Sequence, residues 1–177
     1  ANVGDNVIIV LDKTPFYAES GGQVADTGIL EFSNAIITVE DCKKDSLMHF
    51  LHIGKVESGT ISVGDNCIAK IDVERRNSIK RNHTAAHLLQ SALRKVLGDH
   101  VHQAGSYVDS NRLRFDFTHF SAVEQEELKL IENSVNELVL AGVNVENYET
   151  DFDKTEGAMA LFGEKYGSRV RVCKIGE

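Results

Sequence analysis

Tryptophan is missing from this chain of 177 residues, and proline appears once. No apolar run approaches the ~20 residues a helix needs to cross a bilayer, so a helical membrane span is excluded. The start of the chain lacks the charged-then-apolar pattern of a secretory signal. Cys42, Cys67 and Cys173 are widely spaced, odd in number and without a CxxC. That excludes a disulfide framework and points to a reducing, cytoplasmic setting. Each cysteine reads first as a small buried apolar residue and only second as a reactive thiol. Internal repeats and low-complexity segments are also absent.

Positive charge is short as well, with 19 Lys and Arg against 27 Asp and Glu and a formal net charge of −8. Such a balance argues against a surface that grips nucleic acid everywhere, while leaving room for a local basic patch. The length suits one sizeable core or two small subdomains. A chain that opens on Ala and closes on a strand-like run is expected to be a piece of something longer.

The first half is strand-like. Val7–Leu11 is a short β-branched run, followed by strand patterns over residues 28–32, 35–40, 46–53 and 67–71. Charged or Gly/Asp/Asn-rich turns separate them at 41–45, 57–59 and 63–66. Short strands with such turns suggest a small antiparallel barrel or curled sheet. His49 and His52, three apart on one strand, would point to opposite faces. Between the first two strands lies Thr14-Pro15-Phe16-Tyr17-Ala18-Glu19-Ser20-Gly21-Gly22-Gln23, with the only proline and the only Gly-Gly pair of the chain. Paired glycines let a backbone take positive φ and let another chain or a ligand come close. A plain connecting loop would use them too, but here Thr14, Tyr17, Glu19, Ser20 and Gln23 surround them with hydrogen-bonding groups.

From Val73 the spacing becomes helical and stays so to about Leu97. Ala85, Leu88, Leu89, Ala92, Leu93 and Val96 form one apolar stripe, and Gly98 supplies the stop. His83, His87, Gln90 and Arg94 fall on the opposite side. Two imidazoles one turn apart are how a single helix offers two ligands to a metal. The same spacing also occurs on ordinary solvated helix faces, and a pair fills half of a tetrahedral shell. Arg75, Arg76, Lys80 and Arg81 make this the most basic stretch, readable as a solvated face or as a contact for backbone phosphates.

Beyond Gly98, strand patterns cover 99–108 and 112–119. In the second, Leu113, Phe115 and Phe117 alternate with Arg112, Arg114 and Asp116. His100 and His102 share a strand face, either as exposed histidines or as a second ligand pair. Ser121-Ala122-Val123-Glu124 has capping-box spacing and opens a helix expected to bury Leu128, Ile131, Val135 and Leu138, ended by Gly142. A strand over 143–148, a helix over 154–165 and a strand over 168–175 complete the order. The pattern gives an α+β fold. A β-barrel-like subdomain with a Gly-rich loop spans 1–74, and a subdomain of helices on an antiparallel sheet spans 75–177.

Four stretches carry a specific resemblance: TPFYAESGGQVADTG (14–28), NHTAAHLL (82–89), HVHQAGSYVDSNRLRFDFTH (100–119) and GAMALFGEKYG (157–167). Together they resemble the editing domains of alanyl-tRNA synthetases. Free-standing editing proteins and the editing domain of threonyl-tRNA synthetase share the HxxxH helix and resemble the third and fourth stretches much less. The resemblance implies hydrolysis of the ester of tRNA(Ala) mischarged with serine or glycine. It implies zinc on His83 and His87, completed by a Cys-x-x-x-His within a downstream Cys-Gly-Gly-Thr-His run. Cys173 lacks that spacing and the run would lie beyond Glu177, so zinc is expected to bind this chain weakly or not at all.

By the same resemblance, His83, His87 and Gln103 are the catalytic candidates. Thr14 and Gln103 line the amino-acid pocket, with Gly21, Gly22 and Gln23 shaping it. The expected partners are the acceptor end of tRNA(Ala), met by Arg75, Arg76, Lys80 and Arg81, and the rest of a synthetase chain. Neither membrane nor DNA is expected. ATP and Mg would serve only a separate aminoacylation domain. A free-standing trans-editing deacylase and a non-catalytic tRNA-binding module are the alternatives. The chemistry has a physical rationale. Alanine is smaller than serine, so a size sieve cannot admit serine and spare alanine. The pocket must read the hydroxyl, and a site built to hydrogen-bond it disfavours the analogue lacking it by up to about 10⁴ to 10⁵.

Overall fold

The computed structural model describes residues 1–151 and 169–176. The expected helix over 154–165 and the GAMALFGEKYG stretch lie outside them. Nine strands and two helices are described: β1 (Asn6–Ile9), β2 (Gly28–Phe32), β3 (Ile36–Lys44), β4 (Phe50–Ser58), β5 (Cys67–Ile71), α1 (Val73–Leu97), β6 (Gln103–Val108), β7 (Leu113–Phe117), α2 (Gln125–Ala141), β8 (Val145–Asp151) and β9 (Arg169–Ile175). Residues Ala1–Thr84 with Ser106–Arg114 form one compact unit, and Ala85–Gly105 with the described residues from Phe115 onward form a second. The division between units falls within α1, whereas residue 74, the expected boundary, lies at that helix's start.

In the first unit, five antiparallel strands form one sheet in the order β1-β4-β3-β2-β5. The expected barrel does not close. Among the described residues β1 pairs only with β4 and β5 only with β2, so both are edges there. The ladder between β3 and β4 slips at Val39/Asp41. An extra residue there shifts the period-two alternation by one, so Ile37 and Val39 point inward and then Cys42 does, with Asp41 kept off the core. These side chains pack with Phe16, Ala18, Ala25, Leu30 and Val56.

The charged turn expected at 41–45 sits four residues later. β3 runs on to Lys44, and Asp45 organises the reversal. Its carboxylate accepts from the backbone N–H of Leu47 (2.9 Å) and His49 (2.8 Å) and from His49 Nδ1 (2.8 Å). Met48 takes a φ of 68° to complete the turn. A carboxylate satisfying several donors at once outweighs the strand propensity of the residues that follow it. The next strand therefore starts at Phe50 and not at Ser46.

The second unit has its own core. Ala92 and Leu93 of α1, Val101 and Ile131 of α2 are buried, with Leu89, Val96, Phe115, Phe117, Val123 and Val135 packed on them. α2 is capped one turn later than its sequence suggests. Glu124 is extended (φ −77°, ψ 158°) and exchanges capping bonds with Glu127. Ser121 is engaged elsewhere, 3.2 Å from His119 Nε2. Gly142 closes the helix in the left-handed region at φ 60°. Of the expected α2 stripe, Ile131 and Val135 pack, whereas Leu128 and Leu138 are 45% and 36% exposed. The expected single sheet under the helices is instead two separate ladders, β6-β7 and β8-β9.

Candidate functional site

The loop before β2 is held to the start of α1 by charge. Asp26 is 1% exposed, and Arg76 grips it through Nε at 2.7 Å and through Nη2. Tyr17 N–H adds a bond to the same carboxylate at 2.6 Å, while Arg76 Nη2 also reaches the carbonyl of Pro15 at 2.9 Å. Arg75 donates to the carbonyl of Ala25 at 2.7 Å. Asp26 thus raises the affinity of the Arg76 guanidinium for its proton. Two of the four cations assigned to tRNA by the sequence are committed inside the unit. Lys80 and Arg81 are exposed, Arg81 leaning on Ser78 Oγ at 2.8 Å.

The Gly-Gly pair behaves as its composition suggests. Gly21 and Gly22 have φ of 58° and 80°. A Cβ on Gly22 would stand 2.4 Å from the carbonyl oxygen of Ser106, so only glycine allows this approach. The contact is closed by Val108 N–H donating to Gly22 at 2.8 Å and Val24 N–H donating to Val108 at 3.0 Å. Gln23, 7% exposed, is thereby delivered to α1, where its Oε1 lies 2.6 Å from His83 Nδ1, 60 residues away in sequence. An amide oxygen only accepts, so the His83 proton sits on Nδ1 and the lone pair is on Nε2. That is the tautomer a metal-binding histidine needs, with its second nitrogen pinned by a hydrogen bond.

Thr14 has a partner that sequence reasoning missed. Its Oγ1 is 2.7 Å from His52 Nε2, and the backbone N–H of Phe16 donates to it at 3.1 Å. His52 is 1% exposed, its Nδ1 is 2.9 Å from the carbonyl of Ile9, and the Phe16 ring meets it edge-on. Burial pushes the His52 pKa down, opposed by the Ile9 bond. The signal was available in the alternation of β4, where His52 shares parity with buried Gly54 and Val56.

His87, Gln90 and Gln103 belong to the second unit. His87 is half-buried one helical turn after His83, and Gln103 is half-buried at the head of β6. Gln90, placed by its wheel position on the solvated side, is 6% exposed. His100 and His102, readable as exposed histidines or as a second ligand pair, are both half-buried. His100 Nε2 lies 2.8 Å from His119 Nδ1, and its ring stacks against Phe120 with centroids 4.2 Å apart.

His83 and His87 suit a metal by donor chemistry, yet among the described residues no three His, Cys, Asp or Glu gather into a metal-binding group. The described residues therefore offer half a donor set. A depression of about 440 Å³ lies over the first sheet, lined by residues such as Gly28, Thr38, Lys70 and Asp72, and includes none of the residues above. Among the described residues no helix is long and apolar enough to cross a membrane.

Residues 1–75 match the family described as tRNA synthetases class II (A). Along its whole length the chain is 58% identical to the alanine–tRNA ligase of Thermoanaerobacter sp. (strain X514). It is 55% identical to that of Acetivibrio thermocellus and 50% identical to that of Bacillus velezensis, again over 100% of its length. In each case it spans 20% of the relative. Identity of this extent makes the chain a member of the alanine–tRNA ligase family, homologous to one segment of those proteins.

Proposed function

We propose that this segment carries the editing site of an alanine–tRNA ligase, which hydrolyses the ester linking serine or glycine to mischarged tRNA(Ala). The observation that carries the reading is the meeting of the Gly21-Gly22-Gln23 loop with the HxxxH helix through Gln23 and His83, held at 2.6 Å. A plain connecting loop has no need of two positive-φ glycines, the second seated against Ser106, to deliver one buried amide to one imidazole.

On this reading Thr14 and Gln103 read the amino-acid side chain by hydrogen bonding. His83 and His87 would hold zinc through ring nitrogens, with further ligands supplied from outside the described residues. Zinc, when bound, supplies positive charge that orients and polarises the ester. Gln23 keeps the His83 proton on Nδ1, and the Gly-Gly backbone sets where Gln23 stands. Water attacks the ester carbonyl, and the products are the amino acid and the terminal ribose hydroxyl of tRNA(Ala). Lys80 and Arg81 meet acceptor-end phosphates, while Arg75 and Arg76 hold the loop. The partners are tRNA(Ala) and the rest of a cytoplasmic synthetase chain, whose separate aminoacylation domain would use ATP and Mg.

The test is deacylation of Ser-tRNA(Ala) by an alanine–tRNA ligase containing this segment. Replacing His83 and His87 by Ala, or Gln103 by Leu, is expected to abolish it while alanylation stays near normal. Unchanged deacylation would remove these residues from the site.

A further inference from the structure

We infer that His52 is a positioning residue that fixes the hydroxyl of Thr14 as a hydrogen-bond acceptor facing the substrate, so that the pocket favours serine, whose hydroxyl can donate, over alanine. The inference rests on the proposed role of Thr14 in the editing pocket and assigns the polarity of that contact.

The chain of bonds leaves one solution. The Ile9 carbonyl, 2.9 Å from His52 Nδ1, can only accept, so Nδ1 carries the proton. A neutral imidazole then has its lone pair on Nε2, and the Thr14 hydroxyl 2.7 Å away must donate into it. Phe16 N–H already donates to the same oxygen at 3.1 Å. The single proton and one lone pair of Oγ1 are therefore committed, and its remaining capacity is to accept. Threonine hydroxyls ordinarily rotate between donor and acceptor roles, and this one is denied the choice. Serine presents an O–H to such an atom, whereas the methyl of alanine presents nothing.

The surroundings maintain that state. His52 is 1% exposed with the edge of Phe16 against it, and Cys42 stands opposite in the ladder. Burial opposes protonation, and protonation would place a donor on Nε2 and reverse the arrangement. Thr14 itself is half-exposed, the disposition of a side chain seated on a buried support and open to a ligand.

His52→Asn tests this, because an asparagine keeps a donor for the Ile9 carbonyl and removes the acceptor at Nε2. In an alanine–tRNA ligase containing the segment, kcat/KM for Ser-tRNA(Ala) deacylation is expected to fall about tenfold, the scale of one oriented hydrogen bond. Gly-tRNA(Ala), which has no side-chain hydroxyl, is expected to lose much less. Equal losses on both substrates would mark His52 as merely structural and overturn the inference. Thr14→Val should show the same preferential loss, and adding His52→Asn to it should cost nothing further. If Thr14→Val leaves serine hydrolysis intact, the pocket reading fails; if it lowers hydrolysis and His52→Asn does not, only the role of His52 fails. Should His52→Asn not fold, nitrogen NMR of ¹⁵N-histidine-labelled protein decides. A protonated Nδ1 with a bare Nε2 is expected at neutral pH, and the opposite tautomer would overturn the inference.

Discussion

Nε of Arg76 lies 2.7 Å from Oδ1 of Asp26, across 50 residues of sequence. The pair joins the first turns of α1 to the loop that presents Thr14 and the two glycines. Asp26 is almost fully buried while Arg76 is a quarter exposed, so removing the carboxylate strands a partly buried guanidinium and the N–H of Tyr17 together. Asp26→Ala is expected to destabilise the chain by about 3 kcal/mol, the range for breaking a buried pair from one side. Urea unfolding followed by circular dichroism checks it. A change under about 1 kcal/mol would show that the pair is only a surface ornament.

The adjacent glycines separate two physical reasons for the residue. Gly21 has nothing within 4 Å of a would-be Cβ, so Gly21→Ala meets only the left-handed backbone, a cost of about 1 kcal/mol. Gly22→Ala adds a collision with the carbonyl of Ser106 and is expected to cost about 2 to 5 kcal/mol. Because the collision displaces the segment holding Gln23, Gly22→Ala should also lower Ser-tRNA(Ala) deacylation more than Gly21→Ala. Equal stability of the two variants in a denaturant series would refute the close approach.

How much of this was written in the sequence depends on the range of the interaction. α1 was legible at both ends, Val73 and Leu97, because helical periodicity and a terminal glycine are local signals. The Gly-Gly loop was legible because positive φ is a property of one residue. The β3-β4 turn was misplaced because one carboxylate, Asp45, outcompetes average turn propensities. The sheet's open edges and the Arg76–Asp26 pair were not legible, since each depends on which distant segments become neighbours. Strand parity separates His52 from His49, and the same parity turns His52 inward with Gly54 and Val56, where it meets Thr14.

Lys80 and Arg81 are the exposed cations at the start of the helix, whereas Arg75 and Arg76 have partners within the first unit. Lys80→Ala with Arg81→Ala is expected to raise KM for mischarged tRNA several-fold, leave kcat nearly unchanged and flatten the salt dependence of binding. Arg76→Ala should instead lower stability. Loss of stability from the exposed pair, with no change in KM, would reverse the assignment.

With two imidazoles as its described metal donors, the chain is expected to bind zinc weakly and to lose it on dialysis against a mild chelator. Removing zinc should leave the unfolding midpoint unchanged, because neither hydrophobic cluster includes His83 or His87. Metal analysis of dialysed protein checks the first point and thermal unfolding the second. One tightly held zinc per chain would mean that residues outside the described set complete the shell.

Acid should destabilise the first unit through His52. Its folded pKa lies below the ordinary histidine value of 6.5 because burial disfavours the imidazolium. The unfolded chain therefore binds more protons than the folded one as pH falls past that value, and stability drops toward the folded pKa. The contribution is fully present above about pH 6.5 and is lost below it. Cys42, opposite in the ladder, does not blur the reading, since burial and the nearby Asp41 and Asp26 push its thiol up to about 11. Carboxylates titrate lower, so comparing His52→Asn with the parent chain between pH 5 and 7 isolates the histidine. The parent's stability should fall more steeply than the variant's across that window. Parallel slopes would show that His52 titrates alike in the folded and unfolded chains.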